Sequence, residues 1–151
     1  MAPVGPRVNV KADAPDGYRA LAGLTRAGHP DHVLSELIKV RASLVNGCEY
    51  CVVLHSDAAR AAGVSEDQLI ALADWRESTL FDDRVRAAMG LTDLLTRTES
   101  LAGCRDAAAG PTWSAAEAAF PDAELAQVVV TITAINAWNR VMIASGITPP
   151  G

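Results

Sequence analysis

Residues 41–55 read Arg41-Ala42-Ser43-Leu44-Val45-Asn46-Gly47-Cys48-Glu49-Tyr50-Cys51-Val52-Val53-Leu54-His55, a C-x-x-C pair followed four residues later by a histidine. Asn46 reads as an N-cap, with Glu49 three positions on completing a capping box, so a helix is expected to start here with both cysteines in its first turns. At about 100° per residue, Cys48, Cys51 and His55 then fall within roughly a 60° sector, which puts two sulfurs and an imidazole on one helix face. Unpaired N–H groups and the positive end of the helix dipole favour an anion. A thiolate is therefore stabilised there, and cysteine pKa values at such positions fall from about 8.5 into the range ~3.5–7.5. Thiol redox chemistry is the first reading of this stretch, with Glu36 twelve residues upstream as a nearby carboxylate.

Working outward, helix signals recur and hairpin signals do not, so the chain reads as all-α with about six helices. A first helix is predicted over Asp16–Ala27. A second starts near Pro30 or Asp31 and runs to Val45, with Leu34, Leu37, Ile38 and Leu44 on an apolar stripe and Glu36 among them. The cysteine-bearing third helix should end at Gly63, and Ser65 with Gln68 forms a capping box opening a short helix through Trp75. A fifth covers Asp83–Thr98, with Val85, Met89, Leu91, Leu94 and Leu95 at helical spacing. From Glu99 to Phe120 the pattern weakens around Gly103, Gly110 and Pro111, leaving a turn or two at Ser114–Ala119. The last helix runs from Pro121 to Ser145 and stops at Gly146, before Pro149 and Pro150. Its Val128–Thr133 run is β-branched throughout, but Leu125, Val129, Ile132, Ile135 and Met142 keep helical spacing, and periodicity decides for helix.

The 151 residues, half of them hydrophobic, are expected to form one domain, and a net charge of -5 leaves no basic footprint for nucleic acid. Residues 1–16 contain Pro3, Pro6 and Pro15 and no apolar run of a secretory signal, so the cytoplasm is the expected compartment. Val128–Ile143 is interrupted by Asn136, Asn139 and Arg140, and no membrane span is expected. Of the three cysteines, Cys104 lies outside the motif; a C-x-x-C in a reducing compartment is either catalytic or metal-binding. As a zinc site it would need a fourth ligand from His29, His32 or Glu36, and one continuous helix is an unusual source for a structural zinc pair.

Glu36, the R-A-S-x-x-N-G-C segment, the C-x-x-C-x-x-x-H unit, Ala73-Asp74-Trp75-Arg76-Glu77 and Ile135-Asn136-Ala137-Trp138-Asn139-Arg140 together resemble the alkylhydroperoxidase D-like (AhpD-like) core domain of the carboxymuconolactone decarboxylase superfamily. The resemblance implies an all-helical, cofactor-free peroxidase. In it Cys51 is the attacking thiolate, Cys48 resolves its sulfenic acid as a disulfide, and His55 acts as base in a relay with Glu36. It also implies a peroxide substrate, a lipoyl- or thioredoxin-like thiol reductant, and a homo-oligomer, with a hexamer built as a trimer of dimers favoured. One departure stands out: Tyr50 occupies the position between the cysteines where relatives often carry histidine, and a phenol is a poor proton carrier at neutral pH.

Two other functions remain as alternatives, a carboxymuconolactone decarboxylase-like lyase, which would not need two thiols, and a non-enzymatic redox sensor. Trp75 and Trp138 are expected in the core or at a subunit interface, with the wall of an apolar peroxide pocket as the alternative for either. The amides of Asn136 and Asn139 are expected in structural or inter-subunit bonds.

Overall fold

Asp31 opens the helix that carries Glu36: its side chain accepts the Leu34 N–H at 3.1 Å. This helix, α3 (His32–Asn46), buries Leu34, Leu37, Ile38, Val40 and Ala42. Leu44, expected on the same stripe, is instead on the surface. Gly47 stops α3 in the left-handed region at φ 68°, and the Cys48 N–H reaches Ser43 O while the Gly47 N–H reaches Leu44 O. These two bonds make a Schellman motif, and a residue with a Cβ at Gly47 would be strained. Cys48 is already the N-cap of the next helix, α4 (Glu49–Ala61). The expected cap at Asn46 is therefore wrong: that residue is the last of α3, because the glycine after it ends a helix, and the next cap comes two residues later at Cys48.

The computed structural model describes residues 6–149, apart from the side chains of residues 106–108. Pro3 and Pro150 lie outside them. Among the described residues all regular structure is helical. Before α3 come the single turn α1 (Val10–Asp13) and α2 (Pro15–Arg26), the latter begun by a proline at its first position. After α4 come α5 (Glu66–Ala71), opened by the Ser65–Gln68 capping box, and a 3₁₀ turn at Leu72–Asp74. Then follow α6 (Asp83–Thr96), α7 (Cys104–Ala109), α8 (Pro111–Ala119) and α9 (Asp122–Ser145). The six expected helices are present; α1 and α7 were not expected, and the turn or two expected at Ser114–Ala119 is the C-terminal part of a longer α8. Pro111 starts α8 at a position where its missing N–H is not needed, so a residue read as a breaker is an initiator.

The helix α9 packs against α2, α3, α4, α6 and α8. Its β-branched run is helical: Thr131 and Thr133 direct their hydroxyls to the carbonyls of Gln127 and Val129, and Val128, Thr131 and Ile132 are buried. By length and apolarity α9 would suffice to cross a bilayer, yet it carries the fully buried Asn139 into the bundle interior. There Asn139 Oδ1 accepts from Asn46 Nδ2 at 2.8 Å and its own amide donates to Ser43 Oγ at 2.9 Å. Asn46 Nδ2 also donates to Asn136 Oδ1 at 3.0 Å. The amides on α9 thus bind within the chain and clamp the C-terminal end of α3 one residue before the glycine turn. Asn46→Ala should remove both bonds and leave a buried acceptor without its donor, lowering stability by about 1–3 kcal/mol. Chemical denaturation would measure this, and an unchanged midpoint would mean the clamp is energetically idle.

A second polar node holds the 3₁₀ turn. The buried Asp93 on α6 receives Arg41 Nε at 2.7 Å and Nη2 at 3.0 Å, Trp75 Nε1 at 3.1 Å and Arg76 Nη1 at 2.8 Å. Arg41 Nη1 also donates to the carbonyls of Leu72 and Ala73. Trp75 is buried as expected, with the Arg76 guanidinium 4.2 Å from its ring centroid. The Arg41 and Ala73–Glu77 segments of the sequence signature therefore meet at one carboxylate.

Candidate active site

Because Gly47 reverses the chain in a single residue, α4 starts with its first turn pressed against α3 and α9. Val52 N–H is the first to find a partner in the new helix, at Cys48 O. The amides of Glu49, Tyr50 and Cys51 precede it, so both cysteines lie at the unsatisfied, electropositive end of the helix. Their sulfurs are joined as a disulfide across Cα atoms 5.3 Å apart, a span suited to bridging. Both are almost completely buried.

The two cysteines are not equivalent. Cys51 lines a cavity of about 370 Å³, together with Tyr50, Leu54 and His55 of the same helix, whereas Cys48 is not part of its wall. The opposite wall comes from α2 and α9, with Tyr18, Ala22, Ile135, Trp138 and Met142 giving a mainly apolar surface. Trp138, expected in the core or at an interface, is a wall of this cavity; its Nε1 donates to Thr25 Oγ1 at 2.8 Å and its ring meets Tyr18 edge to face at 5.0 Å. Placed on the polar-interrupted part of α9, it lines the same cavity as Cys51.

The charged part of the site is built across α3 and α4. Glu36 Oε2 lies 2.8 Å from His55 Nδ1, and Glu36 Oε1 accepts from Lys39 Nζ at 2.6 Å. Burial pushes the Glu36 carboxyl up, but hydrogen bonds and charge from His55 and Lys39 outweigh it and hold the group below the usual carboxylate range. In the neutral imidazole, a hydrogen bond from Nδ1 to the ionised Glu36 places the ring hydrogen there and leaves Nε2 as the acceptor. His55 also lines the cavity with Cys51.

Residues 12–94, more than half of the chain, match the carboxymuconolactone decarboxylase family. The chain belongs to that family. It is 27% identical over 143 residues to the uncharacterized protein YdfG of Bacillus subtilis strain 168, covering 93% of this chain and 94% of that protein. A shorter segment of 59 residues, 39% of this chain and 32% of the relative, is 39% identical to the uncharacterized protein YnjA of Escherichia coli K12. A solved structure from Agrobacterium tumefaciens, ATU0492, is similar with a TM-score of 0.87 at 30% identity over 97% of this chain and 99% of that one. That protein is of unknown function, and an antioxidant defence role as AhpD has been suggested for it. The AhpD-like helical fold expected from the sequence is the fold observed. Within this family member the matched segment carries Glu36, Cys48, Cys51, His55 and Asp93, while the α9 wall of the cavity lies beyond it.

All four predicted residues meet: Glu36 and His55 by a hydrogen bond, Cys48 and Cys51 by a disulfide, and Cys51 and His55 on one cavity wall. Of the residues weighed as a fourth zinc ligand, His29 lies elsewhere. Its Nδ1 accepts from the Asp31 N–H and its Nε2 faces Glu124 at 3.4 Å, so both nitrogens are engaged. Cys104 is an exposed thiol at the start of α7. Lys39 was missed. Its signal was its spacing of three residues from Glu36 on a helix, which makes the two side chains neighbours.

Proposed function

We propose that this family member is a thiol-dependent peroxidase that reduces hydroperoxides through Cys51. The observation that carries the reading is the asymmetry of the pair: Cys51 opens onto an apolar cavity beside a histidine already held by a carboxylate, and Cys48 is within bridging reach behind it. His55 Nε2 takes the Cys51 proton, with the imidazolium stabilised by Glu36 and the thiolate by the α4 N-terminus. The thiolate attacks the distal oxygen of the hydroperoxide; the O–O bond breaks, the alkoxide takes a proton from His55 and leaves as an alcohol, and Cys51 becomes a sulfenic acid. The Cys48 thiol attacks that sulfur, a disulfide forms and water departs. A reduced dithiol partner then supplies two electrons and two protons to regenerate both thiols.

The apolar walls favour a hydroperoxide with a hydrocarbon body, whose burial contributes about 25 cal/mol per Å². In the test, fully reduced protein receives cumene hydroperoxide and is followed by intact mass. Stoichiometric loss of two hydrogens, mapped to a Cys48–Cys51 bridge, with one cumyl alcohol released, is the expected result. Thiols that persist in excess hydroperoxide would remove the peroxidase reading.

A further inference from the structure

Lys39 has no assigned part in the chemistry above, yet it shares a carboxylate with the histidine that does. We infer that Lys39 is a positioning residue for the thiol: by holding Glu36 Oε1 it keeps Oε2 on His55 Nδ1 and so keeps His55 Nε2 available to Cys51. The inference rests on the reading of Cys51 as the reactive thiol.

The geometry separates this pair from an ordinary surface one. An exposed i, i+3 ion pair contributes little, because water screens it and both side chains move. Here the Lys39 and Glu36 side chains are only 14% and 11% exposed, and Lys39 lines the cavity that holds Cys51. With the imidazole neutral, Lys39 and Glu36 balance. When Cys51 passes its proton to His55, the new imidazolium and thiolate balance in turn, so the charges of these four groups sum to zero throughout. Remove the ammonium and two things can follow. If Glu36 stays ionised, its uncompensated negative charge opposes a second one on Cys51; if Glu36 takes a proton instead, His55 loses the partner that stabilises its charged form. Both routes disfavour the thiolate.

The other groups around this cluster do not replace Lys39. From α4 come His55 and the Tyr50 phenol, and from α2 the Tyr18 phenol and the exposed Arg26 at the cavity wall. The α9 side of the cavity supplies Thr131, Ala134, Ile135, Trp138 and Met142, none of them an acid or a base at neutral pH. On α6, Asp93 is occupied by Arg41, Trp75 and Arg76.

The test reads Cys51 directly. Reduced full-length protein, kept anaerobic, is alkylated with iodoacetamide across the pH range, and modification of Cys51 is resolved from Cys48 and Cys104 by peptide mass. In Lys39→Met the pH midpoint for Cys51 should rise by about one pH unit, with Lys39→Gln as a second uncharged variant in case methionine disturbs folding. Lys39→Arg should keep a midpoint close to wild type. In a Glu36→Gln background the Lys39→Met shift should shrink to less than half, because the route through the carboxylate is gone. An unmoved midpoint in both folded uncharged variants, or a shift equally large in the Glu36→Gln background, would overturn the inference. Failure of wild-type protein to consume hydroperoxide, with the alkylation shifts intact, would count against the peroxidase reading alone.

Discussion

Cys51→Ser will stop hydroperoxide consumption, lowering the rate on the order of 10³-fold or more, to the level of the uncatalysed reaction. A serine hydroxyl next to His55 is a far weaker nucleophile toward peroxide oxygen than a thiolate, and Cys48 stands outside the cavity wall that Cys51 shares with His55. Cys48→Ser should behave differently. The first oxidation proceeds once per molecule, and a sulfenic acid on Cys51 accumulates that dimedone traps, because the resolving thiol is gone. Stopped-flow consumption of cumene hydroperoxide with mass analysis of the trapped products separates the two variants. If Cys51→Ser still forms a sulfenic acid on Cys48 at a comparable rate, the roles assigned to the pair are reversed. If Cys51→Ser is inert but the wild-type protein turns over only once despite a dithiol reductant, a sensor describes the chain better than an enzyme.

Asp93→Asn should give the largest loss of stability among single substitutions away from the apolar core, about 3–5 kcal/mol. The carboxylate accepts from three side chains, and Arg41, only 6% exposed, would keep its charge without a counter-ion. For a chain of this size that loss corresponds to a fall in Tm on the order of 10 °C. The pH dependence fixes the sign. Burial pushes the Asp93 carboxyl up, but the hydrogen bonds from Arg41, Arg76 and Trp75 and the Arg41 charge outweigh it and hold the group below the usual carboxylate range. A depressed folded-state pKa gives stability that is full above the unfolded-state value and is lost as pH falls through the folded-state value. Glu36 follows the same rule for its own pair of donors. Wild type should therefore weaken on acidification below the ordinary carboxylate range, and Asp93→Asn should show a flatter acid limb. Equal acid sensitivity in the two proteins would show that Asp93 does not carry this dependence.

The helical class was legible because the stripe on α3, the stripe on α6 and the 3.6-residue spacing beneath the β-branched run of α9 each point to the same period. The Asn46 reading failed at a local ambiguity. Asn followed by Gly can open one helix or close another; here the left-handed Gly47 closes α3, and the two α9 amides that capture the asparagine side chain hold it there. Trp138 left two readings open, core or interface against the wall of an apolar pocket, and the second is observed. Its apolar neighbours on α9 fit a core position, and only the packing of α9 with α2 puts the indole on a cavity wall, bonded to Thr25.

By itself the sequence determined the six main helices, the thiol pair at a helix start and the histidine one turn beyond, because caps, period and helix-dipole effects act within a few residues. It also carried Glu36 into the site, though on the strength of a resemblance and not of spacing. Only the tertiary structure decided which cysteine faces the cavity, which two donors share Glu36, and that Asp93 joins segments 52 residues apart. Those outcomes depend on how α3, α4, α6 and α9 pack, and packing brings together groups whose separation along the chain leaves no local trace.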